Sequence, residues 1–522
     1  MVRAYVGSAQ ERQFEFELSL LMKARDVLPA DHEAFMFIEM AEQFDVSAFR
    51  AFYRADGRGR PPYDPRMMVA LIMYCRSKGI TSGENVAKAC VDDLGARLIT
   101  GNAYIDRTTV DRFIINHRVA LQGLLPQTLR LGYPEGLVDV SVVAGDGTYM
   151  LANAAMGATI DEPGLLAQIA DLEQQLAAAE ATWLEHAAVD TEAPATLFTD
   201  ADDNPPRRPI PGDAKAAKTR QRVCTLTGML RSRRAALDHL HAHPNTELVE
   251  WAEKLQRDQD RVQNCTERLA KARTEAQTKL DRRKLAEANG KGFPGTKFES
   301  VNENSRVKQA SKSLATATAR ADATAANRPT TTRVNTTDPT SRIMPGKNAG
   351  FDQRHNVQAL ACKNQFVIAI TTHDSPNDKR ALINLILQGR ANLDAAGIND
   401  LIGKALFDNG YASEANFTAE LPIGRLLVAV EKEARQTQRL RDDTSTAAKT
   451  WDDMATRLAE PENHTAYKQR GAIIEPLFAQ LFTRFGRNLN ARGDNVNTEL
   501  HLWAVTHNLL KISRRRKKRR PD

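Results

Sequence analysis

Three acidic residues are placed where they could do chemistry together. Asp146 follows the β-branched run "LVDVSVVA" (Leu137 to Ala144), and Asp408 follows the apolar Ala405 to Phe407. If both runs are strands, adjacent and parallel, their carboxylates emerge at one sheet edge. Phosphodiester cleavage uses hard carboxylate oxygens to hold two magnesium ions roughly 4 Å apart, one activating the attacking oxygen and one stabilising the leaving oxygen; manganese can substitute. Two aspartates and one further acid suffice. Glu475, in "YKQRGAIIEPLFAQLF", is the candidate third, on a helix that is apolar on its other face. Each element alone has a blander reading. Asp146-Gly147 and Asp408-Asn409-Gly410 are turn signals, and Glu475-Pro476 suits a first-turn carboxylate that complements the helix dipole. The ordered set, with positive charge nearby, argues for the site more strongly than its parts.

The elements that must position these residues can be traced along the chain. Phe14 to about Arg130 has helical periodicity. Pro65 opens a helix with Met68, Leu71, Ile72 and Cys75 on its apolar face, Gly79 stops it, and a second begins near Ser82. Asp106 caps "DRTTVDRFIINHR", which should bury Val110, Phe113 and Ile114 and expose Arg107, Arg112, His117 and Arg118. Short helices ending in a basic one suit a helix-turn-helix that reads DNA, although any small bundle shares the pattern. After the strand that ends at Ala144 come heptad seams: Leu165, Ile169, Leu172, Leu176, Ala179, Trp183; then Val223, Leu226, Leu230, Leu237, Leu240; then Leu248, Trp251, Leu255, Val262, Cys265, Leu269, with Asp258 on the seam. A Pro/Asp loop at 199–213 separates the first two, and weak order is expected from roughly 290 to 340. Asn356 to Cys362 and Gln365 to Thr371 read as a hairpin, Ala381 to Leu387 as a helix, Arg425 to Lys432 as a strand, and Arg470 to Arg484 and Thr498 to Ile512 as the last helices.

This order predicts an α+β protein. An all-α N-terminal domain (1–132) precedes a mixed-sheet core of ribonuclease-H-like order (133–160 and 346–512). A long coiled-coil-like helical insertion and linker (161–345) interrupts the core, and a basic tail (513–522) ends the chain. The 522 residues suit about three structural units. Five scattered cysteines without C-x-x-C argue against a disulfide framework or a zinc site. No apolar run reaches membrane-spanning length and Met1 to Gln13 lacks a signal-peptide pattern, so a cytoplasmic location is expected, with no membrane partner. The formal charge is +7, and Arg514, Arg515, Arg516, Lys517, Lys518, Arg519 and Arg520 supply seven positive charges. Such a block should be a disordered arm that neutralises nucleic-acid phosphates, or else a solvated solubility tail.

The chain resembles transposases of bacterial insertion sequences that use an aspartate-aspartate-glutamate triad, specifically the group numbered eleven eighty-two and its relatives within the broader group four/five. The residues that carry the resemblance are "GRPPYDPRMMVALIMYCRSKGITS", "VAGDGTYMLANA" around Asp146, "TTDPTSRIM" (Thr336 to Met344), "HNVQA", "FDNGYASEANF" around Asp408, "YKQRGAIIEPLFAQL" around Glu475 and "HNLLK" (His507 to Lys511). It implies a mobile-element enzyme that cuts DNA at terminal inverted repeats and joins the 3′ hydroxyl to target DNA. Asp146, Asp408 and Glu475 would be its metal ligands, and it would act as a homodimer on double-stranded DNA, at the bacterial nucleoid when bound. It also implies phosphate contacts by Tyr467 and Arg470. The lysine expected later on that helix is Phe482 here, with Arg484 two residues on.

Further DNA contacts are expected from Arg107, Arg112, Arg118, Arg514, Arg515, Arg516, Lys517 and Lys518. Asp338, Ser341 and Arg342 match a family motif but read as a turn without a catalytic role, and Trp451 reads as core packing or a base-stacking platform. Two other classes compete: a DNA-binding derivative that no longer cuts, and a coiled-coil assembly protein.

Overall fold

The computed structural model describes residues 28–53, 61–188, 214–242, 246–292, 297–329, 333–346, 350–373, 375–430 and 446–519. The residues before 28, the Pro/Asp loop at 199–213 and Arg520 lie outside them. The chain divides into two compact units, one of residues 1–158, 190–213 and 337–522, the other of 159–189 and 214–336.

The first unit begins with helices α1 (Glu33–Glu42), α2 (Ser47–Arg50), α3 (Pro65–Ser77), α4 (Gly83–Asp92), α5 (Leu94–Thr100), α6 (Arg107–Asn116), α7 (Arg118–Gln122) and α8 (Leu124–Gly132). Their ends follow the sequence signals. Asp64 caps α3 by accepting the Arg66 N–H at 2.6 Å, Ser82 caps α4, and Asp106 caps α6. Gly79 takes φ +77° after α3, where a side chain would be strained. Because α3 is apolar almost all round, it is buried on nearly every side.

Strand β1 (Val142–Leu151) follows. The second unit then contributes β2 (Thr159–Asp161), α9 (Glu162–Ala188), α10 (Ala214–Ala242), α11 (Thr246–Ala288), α12 (Ser305–Ala326) and β3 (Arg333–Asn335). Back in the first unit come β4 (Arg342–Pro345), β5 (Phe351–Cys362), β6 (Val367–His373), α13 (Ala381–Ala395), β7 (Ile402–Phe407), α14 (Glu414–Thr418), β8 (Ile423–Val428), α15 (Thr446–Ala459), α16 (Pro461–Tyr467), α17 (Arg470–Phe485) and α18 (Asn495–Arg519).

The six-stranded sheet is mixed. Antiparallel β1 and β5 are paired from Val143 opposite Cys362 to Leu151 opposite Arg354, and the other edge of β5 carries β4 and then β6. On its far side β1 runs parallel to β7, which runs parallel to β8. One apolar core joins this sheet to the N-terminal helices. The outer edge of β6 is closed by α18: Asn508 accepts the Val367 N–H and donates to the Val367 carbonyl, both at 2.9 Å, and Asn497 accepts the Thr372 N–H at 3.0 Å. Trp503, almost fully buried, stacks on Phe485 at 4.8 Å and ties α18 to α17.

In the second unit α9 packs on α10 through Leu165, Ile169, Leu172, Ala179, Leu226, Leu230 and Leu240, which are seam positions of the heptads. The third seam, on α11, packs on α12 instead. Asp258 on that seam is buried yet satisfied, with Arg320 Nε at 2.9 Å and the Thr324 hydroxyl donating at 2.9 Å.

Several expectations are corrected. The first strand does not stop at Ala144 but runs through Gly145-Asp146-Gly147 to Leu151, because β5 continues to pair with it. Residues 305–326, expected to be weakly ordered, form α12; Val307, Ala310, Leu314, Ala317, Ala321 and Thr324 recur at heptad spacing, and alanine is the best helix former. The cationic tail is helical to Arg519 and not a disordered arm, since it lies on acidic partners: Arg516 pairs with Glu39 and Glu135, Lys517 with Asp31, and Arg519 with Glu135. His117 is buried, not exposed. It packs among Phe49, Phe52, Tyr53 and Phe113 with its Nε2 2.8 Å from the Tyr53 hydroxyl, and burial lowers its pKa to about 4.

Candidate active site

Asp146 lies inside β1, two residues past Ala144, where the parallel register with β7 stops at Leu406. Asp408 is the residue after β7. The glycines on either side of Asp146 are close-approach residues rather than turn residues. A Cβ on Gly145 would collide with the Phe407 ring, and one on Gly147 would collide with Gln358 and come within 2.8 Å of Asp378 Oδ1. Asp408 accepts the Gly410 N–H at 2.9 Å, which fixes the 3₁₀ turn after β7.

Asp378 and Asp408 both lie near enough to Asp146 to repel its charge. Burial is the first cause that pushes the Asp146 pKa up to about 6; the charges of Asp408 and Asp378 add to it, while Arg470 and the Gly147 N–H oppose it. Arg470, the first residue of α17, places Nη1 3.5 Å from Asp146 Oδ2, an ion-pair distance that is long for a hydrogen bond. Tyr467 donates its hydroxyl to the Phe407 carbonyl at 3.0 Å, directly before Asp408, and burial first and the carboxylates next raise its pKa. The buried Tyr411 hydroxyl donates to Gln358 and has its pKa raised, by burial first and then by Asp378, Asp146 and Asp408.

Asp378 was not foreseen from the sequence. It opens the 3₁₀ turn before α13, and its Oδ1 accepts from Asn356 Nδ2 at 2.8 Å and Gln358 Nε2 at 2.7 Å. Two amides of the "HNVQA" stretch therefore hold this carboxylate beside the aspartates. The available signal was "SPND" immediately before an apolar helix, which also reads as an ordinary helix start.

Glu475 sits on α17 with its side chain exposed, and a Cβ on Gly471 would lie 3.2 Å from its Oε1, so the carboxylate leans toward the start of that helix. Among the described residues it makes no hydrogen bond or ion pair. The donor chemistry suits a hard divalent cation, because the carboxylates of Asp408 and Asp378 act by charge on Asp146, which has Arg470 beside it. As the side chains stand, no three acidic, histidine or cysteine residues among those described are close enough to hold a metal ion.

The other expected contacts are dispersed. Arg107 pairs with Asp111 and Glu84, and Arg118 with Asp494 at 3.5 Å, while Arg112 is half-buried. Arg515 donates to the Glu135 carbonyl, Arg514 and Lys518 are exposed, and Arg484 turns inward to donate to the Ser77 carbonyl. Phe482 stacks near Phe478 and carries the Arg487 guanidinium 4.1 Å from its ring centre. Asp338 is fully buried, paired with His355 at 2.9 Å and accepting the Gly493 N–H at 2.9 Å, a structural knot. Trp451 packs on Phe417 at 5.1 Å.

Residues 23–116, less than a fifth of the chain, match the family model of a transposase domain, DUF772. This segment supports a transposase, a DNA-processing class of protein. No curated protein matches the chain, and no solved structure matches it. No described helix is long and apolar enough to cross a membrane.

Proposed function

We propose that the protein is a DNA transposase of the aspartate-aspartate-glutamate class, related to the group numbered eleven eighty-two, with a ribonuclease-H-like core. It cleaves phosphodiester bonds at the ends of an insertion sequence and joins the 3′ hydroxyl to target DNA. The observation that carries the reading is the convergence of Asp146 and Asp408 from neighbouring parallel strands, in a chain whose first part matches a transposase domain. The strand order supports it: the central strand bearing Asp146 is flanked by an antiparallel β5 and a parallel β7.

Asp146 and Asp408 would hold magnesium or manganese, with Glu475 as the third carboxylate that the resemblance implies. When bound, the ions supply charge stabilisation at the attacking and leaving oxygens. The chain's own residues do the rest. Arg470 offsets the carboxylate repulsion, and Tyr467 fixes the backbone beside Asp408. A homodimer on double-stranded DNA would hold two element ends together. The second unit, a helical insertion in the core, is the proposed place of subunit or DNA contact.

The test is a nicking assay on duplex DNA carrying the element's termini, with magnesium. Asp146→Asn and Asp408→Asn should each lower cleavage by roughly a thousandfold or more, several kcal/mol of charge stabilisation, with DNA binding retained. Unchanged cleavage in either variant would overturn the reading. A second reading, a DNA-binding derivative that no longer cuts, is favoured by Glu475 standing exposed and without a partner among the described residues. Binding of element ends with no nicking in either metal would select it.

A further inference from the structure

Apart from the carboxylates, the turn after α3, the later part of α17 and residues 507–514 of α18 enclose an open cavity of about 490 Å³. Lys78, Gln480, Arg484, His507, Lys511 and Arg514 line it, and among the described residues no carboxylate does. These cations are unequally satisfied. Lys78 has Asp93 at 2.8 Å. Lys511 donates to neutral oxygens, the Asn364 carbonyl and Gln365 Oε1, both at 2.8 Å. Arg484 reaches the Ser77 carbonyl, with Glu33 the charge that supports it, and the exposed Arg514 makes no ion pair among the described residues.

The consequence is mutual repulsion. Burial first, then Arg514, lowers the Lys511 pKa to about 8, and the same two causes lower that of Arg484, with Glu33 opposing. His507 is pushed down to about 3, by burial first and then by Lys511, Arg514 and Arg484, so it is a neutral wall; its hydrogen bond to the Gln365 carbonyl opposes the shift. Cations gathered around an open cavity whose lining holds no carboxylate among the described residues are relieved by an anion entering it.

We propose that this cavity binds a phosphate group of a DNA backbone, at a place separate from the carboxylates. The inference rests on the reading of the chain as a DNA-acting protein. Among the described residues no Phe, Tyr or Trp lines the cavity to grip the remainder of a small phosphorylated molecule, whereas a backbone phosphate is held in place by the rest of its strand. Ser77 at the end of α3, with Lys78 and Gly79 after it, is part of the lining and lies inside the segment that matches the transposase domain.

The test uses the full-length protein and a fluorescent duplex, with affinity measured across a salt series. Arg514→Gln, at an exposed position, should weaken binding about 3- to 10-fold near 0.1 M salt and reduce the slope of log affinity against log salt by about one. Lys511→Gln also removes two hydrogen bonds, so a second readout guards against misfolding: acylation of Lys511 in the wild-type protein at pH 8, mapped by mass spectrometry, should be slowed by duplex DNA. A wild-type protein that binds DNA, with an unchanged slope in Arg514→Gln and no protection of Lys511, overturns the cavity assignment and leaves the DNA reading standing. Protection by inorganic pyrophosphate but not by DNA overturns the backbone assignment in favour of a small anion. Absence of any duplex binding by the wild type sinks both.

Discussion

The carboxylates beside β7 and the cations beside α18 are both like-charge groups partly withdrawn from water, yet the fold secures them differently. Each carboxylate has a specific donor: Gly147 N–H for Asp146, Gly410 N–H for Asp408, and the amides of Asn356 and Gln358 for Asp378. These donors sit on strands or on a tight turn, so the acids are held in place before anything binds. Of the cations, Lys511 rests on neutral oxygens and Arg514 is exposed to solvent. The difference fits two tasks. Positioned acids suit chemistry that tolerates little misplacement, while a looser cationic wall suits a backbone contact that needs charge more than geometry.

The sharpest way to break this comparison is to ask which carboxylate completes the acidic group. If Glu475 is the third ligand, Glu475→Gln should cost roughly a thousandfold in strand cleavage and Asp378→Asn less than about tenfold. Reversal of that ranking in a single-turnover nicking assay would transfer the role to Asp378, the acid that its amide donors already hold in place.

A smaller effect, on stability, comes from the repulsion itself. The Asp146 pKa lies near 6 in the fold against an ordinary 3.8, so the native state binds more protons between about pH 4 and 6. Stability contributed by this group therefore falls as pH rises through that window, and the deficit is complete above it. Asp146→Asn should raise the unfolding free energy by about 1–3 kcal/mol at pH 7.5. The gain should shrink toward pH 4.5, as followed by urea denaturation at the two pH values. Equal gains at both would mean that the carboxylate is not under charge stress.

How much of this could be read from the sequence depends on how local the deciding physics is. Pro65, Gly79, Ser82 and Asp106 mark their helix ends because capping acts within three or four residues. The heptad seams of α9 and α10 were legible for the same reason. Gly-Asp-Gly is a turn by local rules, so the sequence alone puts Asp146 at a strand end; pairing with β5, more than two hundred residues away, keeps it extended. The seam of α12 holds only Val307 and Leu314 as large apolar residues among alanines and a threonine, a pattern too weak in apolar residues to announce a helix. His117 reads as exposed in the sequence, since nothing in its own helix announces the aromatic residues 49, 52 and 53 that enclose it. Asp378 shows the same limit: its two amide donors come from another strand, and only their convergence distinguishes it from any aspartate at a helix start.

The smallest effect concerns cations that differ from Arg514 in having partners. Glu135 serves Arg516 at 2.9 Å and Arg519 at 2.8 Å, on the same helix that carries Lys511 and Arg514. Glu135→Gln removes their shared counter-charge, so the last turns of α18 should fray, at a cost of about 1 kcal/mol or less because Arg519 is half exposed. Hydrogen exchange should quicken at 513–519 and not along 495–510. Arg519 should then be free for phosphate and Arg516 held by Glu39 alone, so duplex affinity should rise by about twofold at low salt, the opposite sign to Arg514→Gln. A fall in affinity would instead mean that the paired end of the helix must be ordered for the cavity beside it to hold its shape, which would join the two cationic groups into one.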